Sequence, residues 1–303
     1  MAGVITTGNH PKLLWPGLHA LFGTTYKDKP MQHEKVFEIL TSSKAYEEEV
    51  ELTGFGLAPV KPEADAISYD SHSQGWTKRY TNVTYAFGFI ETEEAVEDNQ
   101  YKGRATARTK LLARSMRHTK EIVCANVINR GFDSNYLGGD GKELFATDHT
   151  TLDGTQSNEL ASPADMSEAA IEDMVIQIMN ATDSRGLRIQ LMPEMLLISN
   201  QNWFEASRIL KSELQNDTAN NAVNAIKANG VFPRGAMAWS FLTDTDAWFI
   251  KTDAPEGLKV FNRRAVSFQK DSDFDTSNFK HKASERYSVG WTDWRSAYGS
   301  AGS

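Results

Sequence analysis

A period-two alternation of apolar and polar residues predicts extended structure in the first third of the chain. Within residues 76–90, the apolar positions that would share one face of a β-strand are Val83, Tyr85, Phe87 and Phe89. Residues 46–52 are also predicted to be extended, and a polar stretch containing Pro59 and Pro62 joins the two segments. We therefore predict a long hairpin-like excursion that needs support from elsewhere, because an isolated two-stranded ribbon is only marginally stable in water.

A helical pattern follows over residues 93–130, where apolar side chains recur every three to four positions. Acidic residues at its start oppose the helix dipole, and Gly131 marks its predicted end. At a rise of ~1.5 Å per residue, this helix would reach about 55 Å and span a whole subunit. The first 45 residues are predicted to form an arm, because glycine and proline interrupt them too often for long regular elements. Only residues 34–40 of this arm are predicted to be helical.

Helices and strands alternate in the second half of the chain, which predicts a compact mixed α/β domain there. The predicted elements are helices at 167–180 and 202–215 and strands at 188–199, 239–242, 247–251, 260–261, 266–268 and 286–291. Ser167 or Asp165 would cap the first helix, and Trp203 and Phe204 would lie on the buried side of the second.

Composition and charge exclude several classes of protein. With 303 residues, 40% of them hydrophobic and 24% charged, the chain can bury a real core and is not intrinsically disordered. Its single cysteine, Cys124, excludes a disulfide scaffold and is predicted to be core packing. The net charge of -8 makes general attraction to nucleic acid or to anionic membranes unfavourable. No apolar run is long enough to span a bilayer, and the start lacks the pattern of a signal peptide, so the chain is expected in the cytoplasm.

Motifs for catalysis and metal binding are sparse in the sequence. It contains neither the G-x-S-x-G nucleophile elbow nor a phosphate-binding P-loop. Residues 271–275 imitate the opening of a calcium-binding loop, but Thr276 replaces the required glycine and Lys282 replaces the final glutamate. No cofactor and no metal are therefore predicted. The neighbours Asp148 and His149 leave one alternative open, a cytoplasmic α/β enzyme with an acid/base site in a loop.

One face of the predicted long helix is basic although the whole chain is acidic. This face carries Lys102, Arg104, Arg108, Lys110, Arg114, Arg117 and Lys120. A solvated helix face accounts for such a stripe, and so does a surface that meets nucleic acid or an acidic partner. A nucleic-acid binder acting through residues 102–120 is therefore a third hypothesis.

Protruding elements that cannot be stable alone favour a protein that assembles with copies of itself. The segments 144–149 (Leu-Phe-Ala-Thr-Asp-His) and 154–158 (Gly-Thr-Gln-Ser-Asn) resemble the F-x-x-x-H and G-x-x-S-N motifs that follow the spine helix of the major capsid proteins of tailed bacteriophages. The chain departs from this family at Thr150, where many relatives have proline. Segment 193–210 is similar to the strand and helix of the family's axial domain, and segment 290–299 is similar to the family's C-terminal segment.

The resemblance implies an α+β fold, the tailed-phage major capsid fold. Its expected parts are an N-terminal arm (1–45), an extended β-hairpin loop (46–90), a peripheral domain with the spine helix (91–136 and 256–303) and an axial domain (137–255). The loop would lie over an adjacent subunit, which would give the two-stranded ribbon the layer that it lacks.

The same resemblance implies a self-assembling virion protein rather than an enzyme. Pentamers and hexamers of this protein would form an icosahedral head around packaged double-stranded DNA. Candidate inter-subunit contacts are Lys61, Trp76 and Tyr80, and a candidate interior-facing basic stripe consists of Arg104, Arg108, Arg114 and Arg117. Expected partners are the portal, separate scaffolding or decoration proteins, and DNA through weak non-specific contacts, without a membrane. The virion capsid would be assembled in the host cytoplasm. Some relatives weld their shells by a lysine-asparagine bond; Lys61 or Lys78 could be the donor by location, but the sequence names no acceptor.

Overall fold

The computed structural model describes residues 15–92, 94, 101–214, 223–273 and 278–303, and these residues form an α+β fold. Its helices are α1 (Trp15–Tyr26), α2 (Tyr101–Asn129), α3 (Glu168–Met179), α4 (Trp203–Lys211) and α5 (Ala225–Ala228), with short 3-10 helices at His33–Lys35 and Trp294–Ser296. Its strands are β1 (Glu38–Thr41), β2 (Tyr46–Leu52), β3 (Gln74–Thr81), β4 (Val83–Glu91), β5 (His149–Thr151), β6 (Gly154–Gln156), β7 (Pro193–Ile198), β8 (Ala236–Ala238), β9 (Trp248–Thr252), β10 (Leu258–Ser272), β11 (Phe279–Trp291) and β12 (Ala297–Ser300).

The first four-stranded sheet has the order β1-β10-β11-β4. Long β10 and β11 form an antiparallel pair, β4 adds antiparallel to β11, and β1 adds parallel to β10. Helices α1 and α2 pack against this sheet through a shared cluster that contains Leu18, Phe22, Leu112, Met116, Phe268 and Ala283. The 29-residue helix α2 is about 43 Å long, so it forms a spine along which the other elements are placed.

The second four-stranded sheet has the order β12-β9-β7-β8 and lies with α3, α4 and α5 in the other half of the chain. β7 is buried over nearly its whole length, and Pro193 occupies its first position, where the missing N–H costs least. Ser167 caps α3 by accepting the Ala170 N–H at 3.2 Å, as the sequence predicts. Residues from both sheets and from α2 meet in a central core that includes Cys124, which is fully buried as predicted.

The extended hairpin consists of β2 and β3, which pair from Tyr46 opposite Thr81 to Leu52 opposite Gln74. The prediction of strand structure across residues 76–90 is confirmed, but these residues do not form one leg. Asn82 ends the hairpin, and β4 then joins the first sheet beside β11. The period-two pattern runs through Asn82 unbroken and carries no information on which strand is the partner.

Asn82 fixes the junction between the hairpin and the first sheet. Its side-chain nitrogen donates to Ser42 Oγ at 2.9 Å and to the Lys44 carbonyl at 3.1 Å. Its side-chain oxygen accepts from Ser288 Oγ at 3.1 Å, and its backbone carbonyl accepts from Arg286 Nε at 3.2 Å. The junction is therefore a buried, fully bonded corner rather than a flexible connection.

Two predictions in the N-terminal arm are wrong. Helix α1 forms despite Pro16 and Gly17, because proline is tolerated in the first helical turn and Leu18 and Phe22 bury the inner side of the helix. The predicted helix at 34–40 is instead a single 3-10 turn followed by β1, which is held by pairing with β10. In both cases tertiary packing overrides local propensity.

Three predictions in the second half need correction. Trp203 and Phe204 are not on the buried side of α4, since they are 40% and 73% exposed; that side is formed by Ala206 and by Ile209, which the apolar spacing also predicts. The predicted strand at 239–242 lies earlier, as β8, because Ala236–Ala238 pair in parallel with β7 and residues 240–241 form a turn. The predicted segments at 260–261 and 266–268 belong to one long strand, β10.

The spine helix is confirmed over Tyr101–Asn129, and its predicted first turns at 93 and 95–100 lie outside the described residues. No helix in the described ranges combines the length and the apolar character required to cross a bilayer.

Candidate inter-subunit contact surfaces

A buried amide at Asn158 joins the motif-bearing loop to the C-terminal end of the chain. Its side-chain nitrogen donates to the carbonyls of Leu144, Ala297 and Trp294 at 2.7, 2.9 and 3.3 Å. Its side-chain oxygen accepts the Ala146 N–H at 2.9 Å. An amide is suited to this place because it combines donors and an acceptor in one short side chain. The motif that carries the family resemblance is thus a structural bridge.

His149 belongs to the same buried bridge. Its Nδ1 lies 2.6 Å from Asp140 Oδ2, its Nε2 lies 3.1 Å from Asn158 Oδ1, and its ring stacks on Trp294 with 4.2 Å between centroids. An amide oxygen can only accept, so His149 Nε2–H donates to Asn158 Oδ1. Both ring nitrogens of His149 are therefore engaged within its own chain.

Asp148 does not act together with its neighbour His149. Its side chain points outward and pairs with Lys142, whose hydrogen bond holds the pKa of the Asp148 carboxyl below its ordinary value. His149 is fully buried, with a relative exposure of 0%. The Asp148 side chain is exposed and pairs with Lys142, whereas the buried His149 pairs with Asp140, so the acid/base pair of the enzyme hypothesis is not assembled in the described structure.

The base of the extended hairpin is fastened to its own chain. Tyr80 is only 2% exposed; its hydroxyl lies 2.5 Å from Thr292 Oγ1, and its ring packs on Phe261. Thr292 Oγ1 in turn donates to Glu49, so the Tyr80 hydroxyl is the donor to Thr292. Trp76 is half-buried and donates from Nε1 to the Thr292 carbonyl at 3.3 Å. Of the three candidate inter-subunit contacts, Tyr80 is thus enclosed and Trp76 is partly enclosed within the subunit.

The far end of the hairpin is exposed instead. We call residues 57–69 the loop tip, and all of them are exposed, including the third candidate contact, Lys61. Its large apolar side chains Leu57, Val60 and Tyr69 are 83%, 92% and 89% exposed. No described residue of the chain covers them, so the loop tip presents an apolar surface to its surroundings.

The residues directly after the loop tip are tied to the loop between α3 and β7 by one ion pair. Asp70 accepts from Arg185 Nη1 at 2.5 Å and from the Gly56 N–H at 2.8 Å. The Arg185 hydrogen bond, followed by that of Gly56, lowers the pKa of Asp70 to about 2. Arg185 also donates to the Ser71 carbonyl at 3.0 Å. No pattern in the sequence indicates a contact between Asp70 and Arg185, so sequence reasoning missed this ion pair.

The basic stripe of the spine helix is not one uniform surface. Arg108 pairs with Glu91 at 3.2 Å, and Arg117 donates to the Pro30 carbonyl at 3.2 Å. Arg114 is exposed and forms no salt bridge within the described ranges. The side chain of Arg104 lies outside the described residues. Only part of the predicted stripe is therefore free to meet a partner.

A groove beside the hairpin base was also missed by sequence reasoning. Lys78 Nζ lies 4.7 Å from the centroid of the Trp291 ring, and the Arg130 guanidinium lies 4.6 Å from that of Tyr136. Arg130 directly follows the buried end of the spine helix, and this position alone is only weak evidence for a groove. The topology alone brings strand β3, the end of α2 and the end of β11 to one place.

Comparison with known proteins agrees with the fold. A family model described as phage capsid protein matches residues 76–300. No curated protein is significantly similar to the chain. Among solved structures, the virus-like particle from Pyrococcus furiosus is 10% identical with a TM-score of 0.56, covering 94% of this chain and 97% of that chain. The corresponding values are 10%, 0.53, 90% and 91% for Microbacterium phage Oxtober96, and 13%, 0.50, 88% and 90% for the capsid of Myoviridae phage XM1.

At these identities the solved structures establish the fold alone, which is the α+β capsid fold expected from the sequence. The family match extends over most of the chain, from the second leg of the hairpin to the last strand. The chain belongs to the phage capsid protein family and is a structural shell subunit of the virion.

Proposed function

We propose that this chain is the major capsid subunit of a tailed phage and that it assembles through pentamers and hexamers into an icosahedral head around double-stranded DNA. Family membership supports the role in a shell. The observation that carries self-assembly is the loop tip, whose apolar side chains have no cover from the described part of their own chain. Burial of each such side chain is worth roughly 1.5–3 kcal/mol, which is gained only when another subunit arrives.

The proposed division of labour follows the two sheets except at β12, which ends the peripheral segment but pairs with β9 in the second sheet. Residues 137–255 would act as the axial domain and meet their copies at the local symmetry axes. Residues 91–136 and 256–303 would form the peripheral domain, and the hairpin would extend from it over an adjacent subunit. The fastening of the hairpin base by Tyr80 supports this role, because a reaching ribbon needs a rigid base.

The remaining partners are proposed from charge and from the family. Arg114 and its exposed neighbour Lys110 would face packaged DNA or an acidic scaffold in the shell interior. A portal and separate scaffolding or decoration proteins would complete the head, and assembly would take place in the host cytoplasm. The role needs no catalytic turnover, and the engagement of both His149 nitrogens supports a structural role for that residue.

Electron microscopy of the purified chain tests this proposal. The parent chain is expected to form capsomers or large particles, with or without a scaffold. A variant in which a short turn replaces residues 53–73 should remain folded, since β2 and β3 keep their register, but should not assemble. Leu152→Ser, an exposed apolar change outside the hairpin, is the matched control and should assemble normally. A parent chain that stays monomeric under all these conditions would overturn the proposal.

A further inference from the structure

The first sheet has a face that points away from helices α1 and α2. Ala283 of β11 and Phe268 of β10 pack towards these helices, and alternate residues of a strand point to opposite sides. We call the opposite side the outer face. The hairpin base covers one end of it, where Tyr80 packs on Phe261. Beyond that end the outer face consists of Thr84, Ala86, Gly88 and Ile90 of β4, Lys280, Lys282, Ser284 and Arg286 of β11, and Arg264, Ser267, Gln269 and Asp271 of β10.

Three cations of the outer face have no acidic partner. Lys282, Arg264 and Arg286 form no ion pair within the described ranges. Arg264 donates from Nη2 to Ser284 Oγ at 3.0 Å, and Arg286 donates from Nε to the Asn82 carbonyl at 3.2 Å. Both acceptors are neutral, so the positive charge of this face is not compensated by the bonds that orient it.

The carboxylates near these cations are engaged elsewhere. Asp273 pairs with Lys280, and Asp271 stands opposite the same lysine in the ladder. Glu47, beside the corner of the hairpin, lies 3.9 Å from Lys44. The charge of Lys282, Arg264 and Arg286 is therefore available to an anion from outside the subunit.

Two of the three cations also oppose each other. Arg264 of β10 stands directly across from Arg286 of β11. Like charges in this position destabilise a sheet. The ladder shifts its register on both sides of Arg264, and such bulges direct a side chain to a particular place. The binding of an anion would relieve this repulsion.

The free edge of β4 lies beside the same face. β4 pairs with β11 over nine residues without a bulge, and no strand of the described ranges pairs with its other side. Edge strands are usually protected by lysine, proline or a bulge, and β4 has none of these. Its side chains Val83, Phe87 and Ile90 are 50%, 61% and 58% exposed. The edge is thus a template to which another strand can be added.

Small side chains separate the cations from this edge. Lys282 stands opposite Gly88, and Arg286 stands opposite Thr84. A strand added to β4 would lie about 10 Å from β11, two strand spacings away. The long side chains of Lys282 and Arg286 can extend over the small ones towards a carboxylate on such a strand. Arg286 already extends this way, since it bonds to Asn82, the residue before β4.

Charge and edge together select the occupant. Pairing of β4 with the β4 of a second copy would bring two sets of uncompensated cations together. Nucleic acid would neutralise the cations but would leave the backbone of the edge and the side chain of Phe87 without partners. An extended protein segment with alternating acidic and apolar residues satisfies both, because it presents carboxylates on one side and apolar side chains on the other.

We propose that the free edge of β4 and the outer face bind an extended acidic segment of a second protein. The segment adds to the first sheet as a fifth strand, and its carboxylates face Lys282 and Arg286. Arg264 is a positioning residue, whose charge directs Arg286 towards the edge. This inference goes beyond the proposed shell function, because it assigns a surface of the subunit to a different protein.

Peptide binding to the purified, unassembled full chain tests the inference. A fluorescent peptide of alternating glutamate and valine should bind, as measured by anisotropy, and should protect residues 83–91 from hydrogen exchange. The double variant Lys282→Glu and Arg286→Glu should bind it about tenfold or more weakly and should bind a peptide of alternating lysine and valine instead. The matched control Lys110→Glu, an exposed position on α2, should bind the acidic peptide as the parent does.

Four results would overturn the inference. A peptide with proline at the valine positions keeps its carboxylates but cannot pair with the edge, so its equal binding would exclude strand addition. A DNA duplex that binds more tightly than the peptide, in a manner lost in Arg286→Glu, would assign the face to nucleic acid. A dimer of the chain that is lost in Phe87→Lys would assign the edge to a second copy. Failure of the acidic peptide to bind would overturn the inference but not the shell function, which is tested by particle formation.

Discussion

The bridge at Asn158 and the loop tip differ in how their side chains are satisfied: one is polar and buried, and the other is apolar and exposed. At Asn158 a fully buried amide bonds to four backbone groups and thereby closes the chain on itself. At the loop tip, Val60 remains 92% exposed and has no cover within the described residues. The buried amide is thus bonded within its own chain, whereas in the proposed shell the apolar surface of the loop tip is covered by other copies. Changes at the two places should accordingly separate folding from assembly.

The largest effect on folding is expected from Asn158→Ala. It leaves the carbonyls of Leu144 and Ala297 buried without their donor, so the free energy of unfolding should fall by about 3–5 kcal/mol. Urea denaturation of the unassembled subunit measures this. Asn135→Ala, which removes an exposed amide bonded only near itself, is the control and should change stability by less than about 0.5 kcal/mol. A similar loss in both variants would contradict the role of the bridge.

Acid should weaken the first sheet through His281. Its ring is 1% exposed and stacks on Phe89, and burial together with the Lys270 ammonium lowers its pKa to about 4. The unfolded chain binds this proton near pH 6.5, so stability is full above that pH and falls as the pH drops towards 4, by roughly 3 kcal/mol in all.

Unfolding of the wild type and of His281→Phe across this pH range isolates the effect. Buried Glu91, whose pKa is raised by burial, works in the opposite direction; because it lies 3.7 Å from His281, the same comparison in a Glu91→Gln background separates its contribution. The variant should lose less stability than the wild type between pH 6.5 and 4. Parallel curves for the two proteins would show that His281 is not responsible.

A smaller effect is expected from Tyr80→Phe at the hairpin base. The change removes one hydroxyl donor to Thr292 and leaves the ring packed on Phe261, so it should cost about 1 kcal/mol. Because Tyr80 is enclosed in its own subunit, the loss should already be present in the unassembled chain. A defect that appeared only in assembled particles would place Tyr80 at an interface instead.

The smallest effect on folding is expected at the loop tip itself. Replacing Leu57, Val60 and Ile67 by serine should change the free energy of unfolding of the subunit by less than about 0.5 kcal/mol, since all three are exposed. Particle formation, measured by sedimentation and electron microscopy, should nevertheless be lost. A triple variant that assembled at the parent rate would break the contrast between the two regions.

Sequence reasoning succeeded where a local pattern decides the structure. The spacing of apolar residues predicted the spine helix, Ser167 predicted the start of α3, and the period-two pattern predicted β4. Each of these signals lies within a few residues of the feature that it predicts. The family resemblance then supplied the order of the parts, which no local pattern contains.

Sequence reasoning failed where contacts between distant segments of the chain decide the structure. Helix α1 depends on packing against α2 and β10, and the partner of β4 is a strand almost two hundred residues away. The enclosure of Tyr80 by Thr292 and Phe261 likewise depends on segments about 200 residues away in the chain. The groove between Lys78 and Arg130 exists only after three separate segments have met.

The single-residue corner at Asn82 has a mechanical consequence. No slack chain separates the hairpin from the first sheet, and hydrogen bonds to Ser42, Lys44 and Ser288 hold the corner on both sides. Load applied to a tip in a pressurised shell would pass as shear into the ladder between β4 and β11 instead of being relaxed by a hinge. Shells built from Asn82→Gly should therefore indent more easily under an atomic-force probe, because the variant lacks the hydrogen bonds through which the corner transmits load to the sheet.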